Sequence, residues 1–121
     1  MRKLGSIVGI GAISLLVAAV SGFGGQAIGA ATAQKVTVGM SEFKFAVTPK
    51  TVKKNVPVTF ALTNKGSTSH DFKIGGKKSP RLAAGKKGTL KVTFKKAGRY
   101  SYLCTVPGHA AAGMKGVLVV K

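Results

Sequence analysis

From residue 34 onward the chain consists of short segments in which apolar and polar residues alternate. In the clearest segment, Leu90, Val92 and Phe94 are separated by single lysine or threonine residues, a pattern that buries one face of a strand and exposes the other. Such β-rich segments lie at residues 36–40, 43–47, 56–62, 70–74, 90–94, 100–104 and 117–120, with turn-forming residues between them. The pattern predicts an all-β fold, a Greek-key β-sandwich of about seven or eight strands.

The N-terminal region has a different pattern. A short basic start is followed by an apolar, uncharged run at residues 4–20, and residues 31–33 read Ala-Thr-Ala, an A-x-A cleavage pattern. These are the parts of a secretory signal peptide. We therefore predict a signal peptide at residues 1–33, one domain at residues 34–121, and export to the periplasm or the outer face of the cell envelope. An uncleaved membrane anchor is the alternative, because the apolar run with its flanks approaches the roughly 20 residues that a spanning helix needs.

The residues able to bind a soft metal ion fall into one pattern. The only cysteine, Cys104, both histidines, His70 and His109, and one of three methionines, Met114, form the sequence His…Cys-x4-His-x4-Met. A single cysteine in an exported protein cannot close an internal disulfide, so a metal bond explains its presence. A thiolate, two imidazoles and a weak axial thioether are the ligands of a mononuclear type 1 (blue) copper centre. The pattern predicts one copper ion.

Other interpretations of these residues are weaker. Taken singly, a cysteine or methionine is usually core packing and a histidine usually a surface or core residue. Zinc is the alternative metal, although a structural zinc site normally has a fourth cysteine or histidine rather than a thioether. Met40 lies on the first predicted strand, where we expect it to be a core residue.

Two stretches resemble a known family. Residues 98–120 closely resemble the C-terminal copper loop of the cupredoxins, and residues 64–72 resemble their first-histidine segment. The Cys-x4-His spacing is similar to that of auracyanin- and rusticyanin-type members. The resemblance implies a β-sandwich with type 1 copper bound by His70, Cys104 and His109, with Met114 axial.

The expected function is the transfer of single electrons between redox partners. A copper enzyme of this fold would need a second or trinuclear copper site and several more histidines, and the chain has only two. We therefore expect no enzymatic activity. A module that stores or delivers copper without electron transfer is the alternative.

Charge bears on the partners. The net charge is +18, with 20 Lys and Arg against two acids, Glu42 and Asp71. Export, the scarcity of arginine and the scatter of the lysines in doublets argue against nucleic acid. We expect a monomer that meets acidic redox partners, with weak attraction to anionic envelope surfaces. Docking is expected at the small, apolar residues 106–112 around His109, here called the His109 patch.

Two local contacts are expected near the ligands. Tyr100 and Tyr102 share a strand face with Cys104, so all three are predicted to point inward, and the Tyr100 hydroxyl is expected to bond to the backbone. Asp71 follows the first histidine, and we predict that its side chain accepts a hydrogen bond from Thr105, tying the two ligand segments together.

Overall fold

A computed structural model of the protein describes residues 32–121. The predicted leader therefore lies, apart from its last two residues, outside the described part, and its cleavage stays a prediction. Within residues 32–121, no helix is long and apolar enough to cross a membrane.

The described residues form two β-sheets. The first contains β1 (Gln34–Ser41), β2 (Lys44–Thr48), β4 (Val58–Asn64) and β7 (Lys87–Val92), in the order β2-β1-β4-β7. The second contains β3 (Thr51–Val52), β5 (Lys73–Ile74), β6 (Lys77–Lys78), β8 (Gly98–Leu103) and β9 (Lys115–Val120), in the order β3-β9-β8-β5-β6. β1 runs parallel to β4 and β3 parallel to β9, whereas the remaining pairs are antiparallel. The predicted β-sandwich is confirmed.

Alternating apolar residues from both sheets build the core. On β4, Val58, Phe60 and Leu62 are buried while the residues between them are partly exposed. Phe72 lies in the centre, with its ring centroid 5.1 Å from that of Phe60 and 5.2 Å from that of Tyr102. Such aromatic packing contributes about 0.5–1.5 kcal/mol per pair beyond the burial of area. The core therefore joins the sheet that contains β4 to the sheet that leads to Cys104.

The segment 70–74 differs from its prediction as one continuous strand. Only Lys73–Ile74 belongs to a sheet, and His70 forms an isolated antiparallel bridge with Leu82. Between them the backbone N–H of Phe72 donates to the Ser79 hydroxyl at 3.0 Å rather than to a neighbouring strand. The side-chain acceptor interrupts the ladder, so this segment is irregular where it reaches the site.

Other predicted strands differ from the observed ones at their ends. The strand predicted at residues 90–94 is β7, which begins at Lys87 and ends at Val92, although the Phe94 side chain remains in the core. Phe43, predicted within a strand, lies in the turn between β1 and β2 with a φ of 62°. Alternation identifies which residues are buried, but it does not show where the hydrogen-bond ladder stops.

Candidate metal centre

Strand ends and a closed loop bring the candidate ligands together. Cys104 directly follows β8 and Met114 directly precedes β9, and the Cys104 N–H donates to the Met114 carbonyl at 3.1 Å. The intervening loop is closed by its own backbone bonds, from His109 N–H to Val106 O and from Met114 N–H to His109 O, each 3.0 Å. Gly108 and Gly113 in this loop have positive φ values of 83° and 116°, which glycine adopts readily.

His70 reaches the site from a different segment. Its bridge to Leu82 is held by two backbone hydrogen bonds, of 3.0 Å from the His70 N–H and 2.8 Å to the His70 carbonyl. The His70 side chain is fully buried. Its main chain is therefore fixed independently of the loop that contains His109.

Three donor atoms converge. His70 Nδ1 lies 3.2 Å from His109 Nδ1, and Cys104 Sγ lies 4.0 Å from the first nitrogen and 3.7 Å from the second. His70 and Cys104 are buried, whereas His109 is partly exposed. The Met114 side chain is fully buried immediately after the same loop.

These separations fit a single metal ion. Bonds of about 2.0 Å to nitrogen and about 2.3 Å to sulfur place the donors of one ion roughly 3.3–3.7 Å apart. The observed spacings of 3.2, 3.7 and 4.0 Å are close to that range. A thiolate and two imidazoles suit copper or zinc and not a hard ion such as magnesium.

Asp71 joins the two ligand segments as predicted. Its buried carboxylate accepts the Thr105 N–H at 2.6 Å and the Thr105 hydroxyl at 2.5 Å. Arg81 contributes a longer contact of 3.4 Å to the same carboxylate. Burial by itself raises the pKa of Asp71, but the hydrogen bonds from Thr105 and then Arg81 outweigh it and hold the pKa below its ordinary value. An ionised Asp71 therefore links the residue after His70 to the residue after Cys104.

The strand parity predicted for this region is also confirmed. Tyr102 and Cys104 are buried and Tyr100 is partly buried against the core. The Tyr100 hydroxyl donates to the Lys96 carbonyl at 2.8 Å. Met40 is a fully buried core residue, also as expected.

Two residues of the β1–β2 turn contact the site, and sequence reasoning missed both. Glu42 places its carboxylate oxygen 3.2 Å from His70 Nε2. The Phe43 ring packs edge-on against the His109 ring, with centroids 5.3 Å apart. The available signal was weak: Glu42 lies between two alternating segments, which indicates a turn but not the neighbours of that turn, and Phe43 falls within the second segment.

A comparison with protein families matches residues 11–120 to the cupredoxin-like domain. The chain belongs to the cupredoxin family.

This cupredoxin is similar to several named proteins. It is 33% identical over 115 residues to the copper-resistant cuproprotein CopI of Rubrivivax gelatinosus, an alignment covering 76% of this chain and 70% of CopI. It is 40% identical over 86 residues to rusticyanin of Acidithiobacillus ferrooxidans, covering 54% of each protein. Among solved structures, auracyanin B matches with a TM-score of 0.66 and 25% identity, over 73% of this chain and 88% of that one. The predicted likeness to auracyanin- and rusticyanin-type cupredoxins is confirmed.

Family membership decides between the two metals that the donor set allows. The cofactor of this cupredoxin is one copper ion in a type 1 site, in agreement with the convergence of one sulfur and two nitrogen donors.

Proposed function

We propose that this cupredoxin is an exported carrier of single electrons, in which His70, Cys104 and His109 bind the copper ion and Met114 supplies an axial thioether. The observation that supports the proposal is the meeting of Nδ1, Sγ and Nδ1 within 4.8 Å of one another, next to a buried methionine. The bound copper ion would supply the one-electron redox couple. The protein's part is to hold these donors in place.

The surroundings of each ligand suit a carrier. His70 is held by its backbone bridge and by Glu42, and Cys104 by the Met114 carbonyl. Asp71 ties the two segments that contain these ligands. Donors that cannot move far keep the site similar in both oxidation states, so little reorganisation accompanies each electron. A rigid, mostly buried site favours electron transfer over metal exchange.

Electrons would enter and leave through the His109 patch. His109 is the partly exposed member of the three donors. Beside it, Phe43 is 46% exposed, the one large hydrophobic residue with that much exposure in residues 32–121. Weak electron-transfer complexes use interfaces of small area, and an exposed apolar ring beside a partly exposed ligand suits such an interface. The excess of lysines on the chain favours an acidic redox partner rather than nucleic acid.

A second candidate function is copper handling without electron transfer. The printed name of the relative CopI associates that protein with copper resistance, and CopI aligns with most of this chain. The two functions are separable, because a carrier of electrons cycles between oxidation states without losing its metal. Catalysis is not proposed, because both histidines of the chain lie at this one site and none is left for a second copper centre.

The decisive experiment is to add Cu(II) to the metal-free protein and record visible absorption and electron paramagnetic resonance spectra. One equivalent is expected to give an intense thiolate-to-copper absorption band in the visible spectrum and narrow hyperfine splitting in the paramagnetic resonance spectrum. Cys104→Ser is the matched control and should bind copper, if at all, without that band. A wild-type protein that stays colourless after metallation would overturn the proposal, and loss of copper on each reduction would favour the copper-handling alternative.

A further inference from the structure

The β1–β2 turn contains one of only two acidic residues in the chain, and that residue faces the buried candidate ligand. We propose that Glu42 is a positioning residue of the copper site, orienting the His70 imidazole through its outer nitrogen and anchoring the loop that leads to it. The inference rests on the proposed function, since it assigns a role toward the copper ligand His70.

The contact between Glu42 and His70 defines the ring's tautomer. Glu42 Oε1 lies 3.2 Å from His70 Nε2, and the imidazole is fully buried. An ionised carboxylate can only accept a hydrogen bond, so in the neutral imidazole this contact places the proton on Nε2. The lone pair of Nδ1 then faces Cys104 Sγ and His109 Nδ1, which is the form that binds a metal.

The same oxygen also holds the loop before His70. Glu42 Oε1 accepts the backbone N–H groups of Ser67 at 2.9 Å and Thr68 at 3.0 Å, and the Thr68 hydroxyl at 3.1 Å. The backbone N–H of Thr68, opposed in part by burial, and the further bonds from Ser67, the Thr68 hydroxyl and His70 lower the pKa of Glu42 to about 2. One carboxylate thus connects the β1–β2 turn, the loop and the ring.

Gly66 provides the space for this arrangement. A Cβ atom at Gly66 would stand 2.5 Å from Glu42 Oε1 and 2.9 Å from Oε2. Contacts this short do not occur, so any side chain at position 66 must displace the carboxylate. The loop sequence and Glu42 are therefore matched, although 24 positions separate residues 42 and 66 in the chain.

Carboxylates that bond to metal-bound histidines have a measurable effect. They fix the ring orientation and tautomer, and their removal typically costs about 10- to 100-fold in metal affinity. Glu42 reaches His70 from a turn in the sheet opposite to β8 and β9, which flank the other candidate ligands. It therefore extends the support of the site to both sheets.

The test compares wild type with Glu42→Gln, Glu42→Ala and Gly66→Ala by two readouts. In the metal-free proteins at pH 8, long-range proton–nitrogen correlation spectra report which nitrogen of His70 carries the proton. Chelator competition then measures Cu(II) affinity. Glu42→Ala is expected to populate the Nδ1-protonated tautomer and to weaken Cu(II) binding about 10- to 100-fold. Glu42→Gln, which keeps an acceptor oxygen, should show a smaller change, and Gly66→Ala should change both readouts in the same direction as Glu42→Ala.

Thr51→Lys is the matched control for charge. It also raises the net charge by one, but Thr51 is exposed on β3 and pairs with Val119, near the end of β9 remote from the site. A role through contact is supported if Thr51→Lys has the wild-type His70 tautomer and Cu(II) affinity while the Glu42 and Gly66 variants do not. The role would be overturned if Thr51→Lys and Glu42→Ala lost Cu(II) affinity equally. It would also be overturned if Glu42→Ala left both the His70 tautomer and the Cu(II) affinity unchanged.

The tautomer readout also separates this inference from the proposed function. Should wild type form no blue centre, the electron-carrier proposal fails, while the spectra of the metal-free proteins still report whether Glu42 orients His70. If Glu42→Ala does not fold, the tautomer of His70 in Gly66→Ala decides the question, and a wild-type spectrum of that variant would refute the role.

Discussion

The chain's only two acidic residues each contact a segment that supplies a candidate ligand. Glu42 accepts hydrogen bonds from the loop and the ring of His70, and Asp71 accepts two from Thr105, next to Cys104. Hydrogen bonds to an ionised acceptor are stronger and shorter than hydrogen bonds between neutral groups. Negative charge in this protein is therefore concentrated where it restrains the metal site.

Removing the Asp71 carboxylate should loosen the site. Asp71→Ala leaves the backbone N–H and the hydroxyl of Thr105 without their acceptor, and an unpaired group of this kind costs about 1–3 kcal/mol. We expect metal-free Asp71→Ala to lose about 2–4 kcal/mol of unfolding free energy in urea. The copper-loaded variant should also show an altered reduction potential.

Two variants show whether the Thr105 bonds cause this effect. Asp71→Asn keeps an oxygen for the Thr105 N–H and should retain most of the stability. Arg81→Gln removes two long contacts of a half-exposed guanidinium, 3.4 Å to Asp71 and 3.5 Å to the Thr105 hydroxyl, so a change below about 1 kcal/mol is expected. An Asp71→Ala variant with the wild-type urea midpoint and potential would show that the Thr105 bonds restrain neither the fold nor the copper.

Sequence reasoning found one of these carboxylates and missed the other for a physical reason. Asp71 adjoins His70, and Thr105 adjoins Cys104, so once the ligands are paired their neighbours are paired too. Glu42 lies 28 positions before His70, and its contact depends on the turn after β1 lying beside the loop after β4. That proximity follows from the parallel pairing of β1 with β4, which no local pattern of residues encodes.

At the scale of elements, alternation predicted the buried faces better than the strand ends. β4 and β8 occur close to where apolar residues alternate, and Cys104 points inward as its parity requires. The 70–74 segment leaves the ladder where the Ser79 hydroxyl accepts the backbone N–H of Phe72. This side-chain acceptor lies outside the strand itself, so a strand's last paired residue cannot be read from the strand's own sequence.

The packing of β9 on β8 depends on a glycine. A Cβ atom at Gly116 would lie 2.5 Å from Cζ of Tyr102, its register partner. Tyr102 is buried two residues before Cys104 and packs against Phe72. Gly116→Ala should therefore force the ring to move and lower the unfolding free energy by about 1–3 kcal/mol, the usual cost of overpacking.

Gly39 on β1 offers the matched control for this prediction. It is also a strand glycine, but an added Cβ would meet its nearest atom, Ala46 Cβ, at an ordinary 3.7 Å. We expect Gly39→Ala to change the urea midpoint little. If the two alanine variants unfold at the same urea concentration, the close approach of Tyr102 to Gly116 does not limit the packing of the two strands.

At the scale of the whole molecule, positive charge is almost unopposed. The chain has 20 Lys and Arg against two acids, and in the described part the acid-paired basic side chains are limited to Arg81 and His70. Charge of one sign over a surface creates a long-range field that attracts anions and repels cations, and salt screens it within about 10 Å at 0.1 M. Such a field would act on a partner before it reached the proposed docking site at the His109 patch.

Electron-transfer rates should therefore depend on salt with a sign set by the reaction partner. Oxidation of the cuprous protein by hexacyanoferrate(III), an anion, is expected to slow by about tenfold or more as ionic strength rises from about 10 mM to about 500 mM. Oxidation by tris(phenanthroline)cobalt(III), a cation, should accelerate over the same range, and stopped-flow spectroscopy of the blue band measures both. An acidic protein partner should behave like the anion, because steering depends on charge and not on the reagent's identity. Rates that are flat with both reagents, or that change in the same direction, would show that the net charge of +18 does not steer encounters at the copper site.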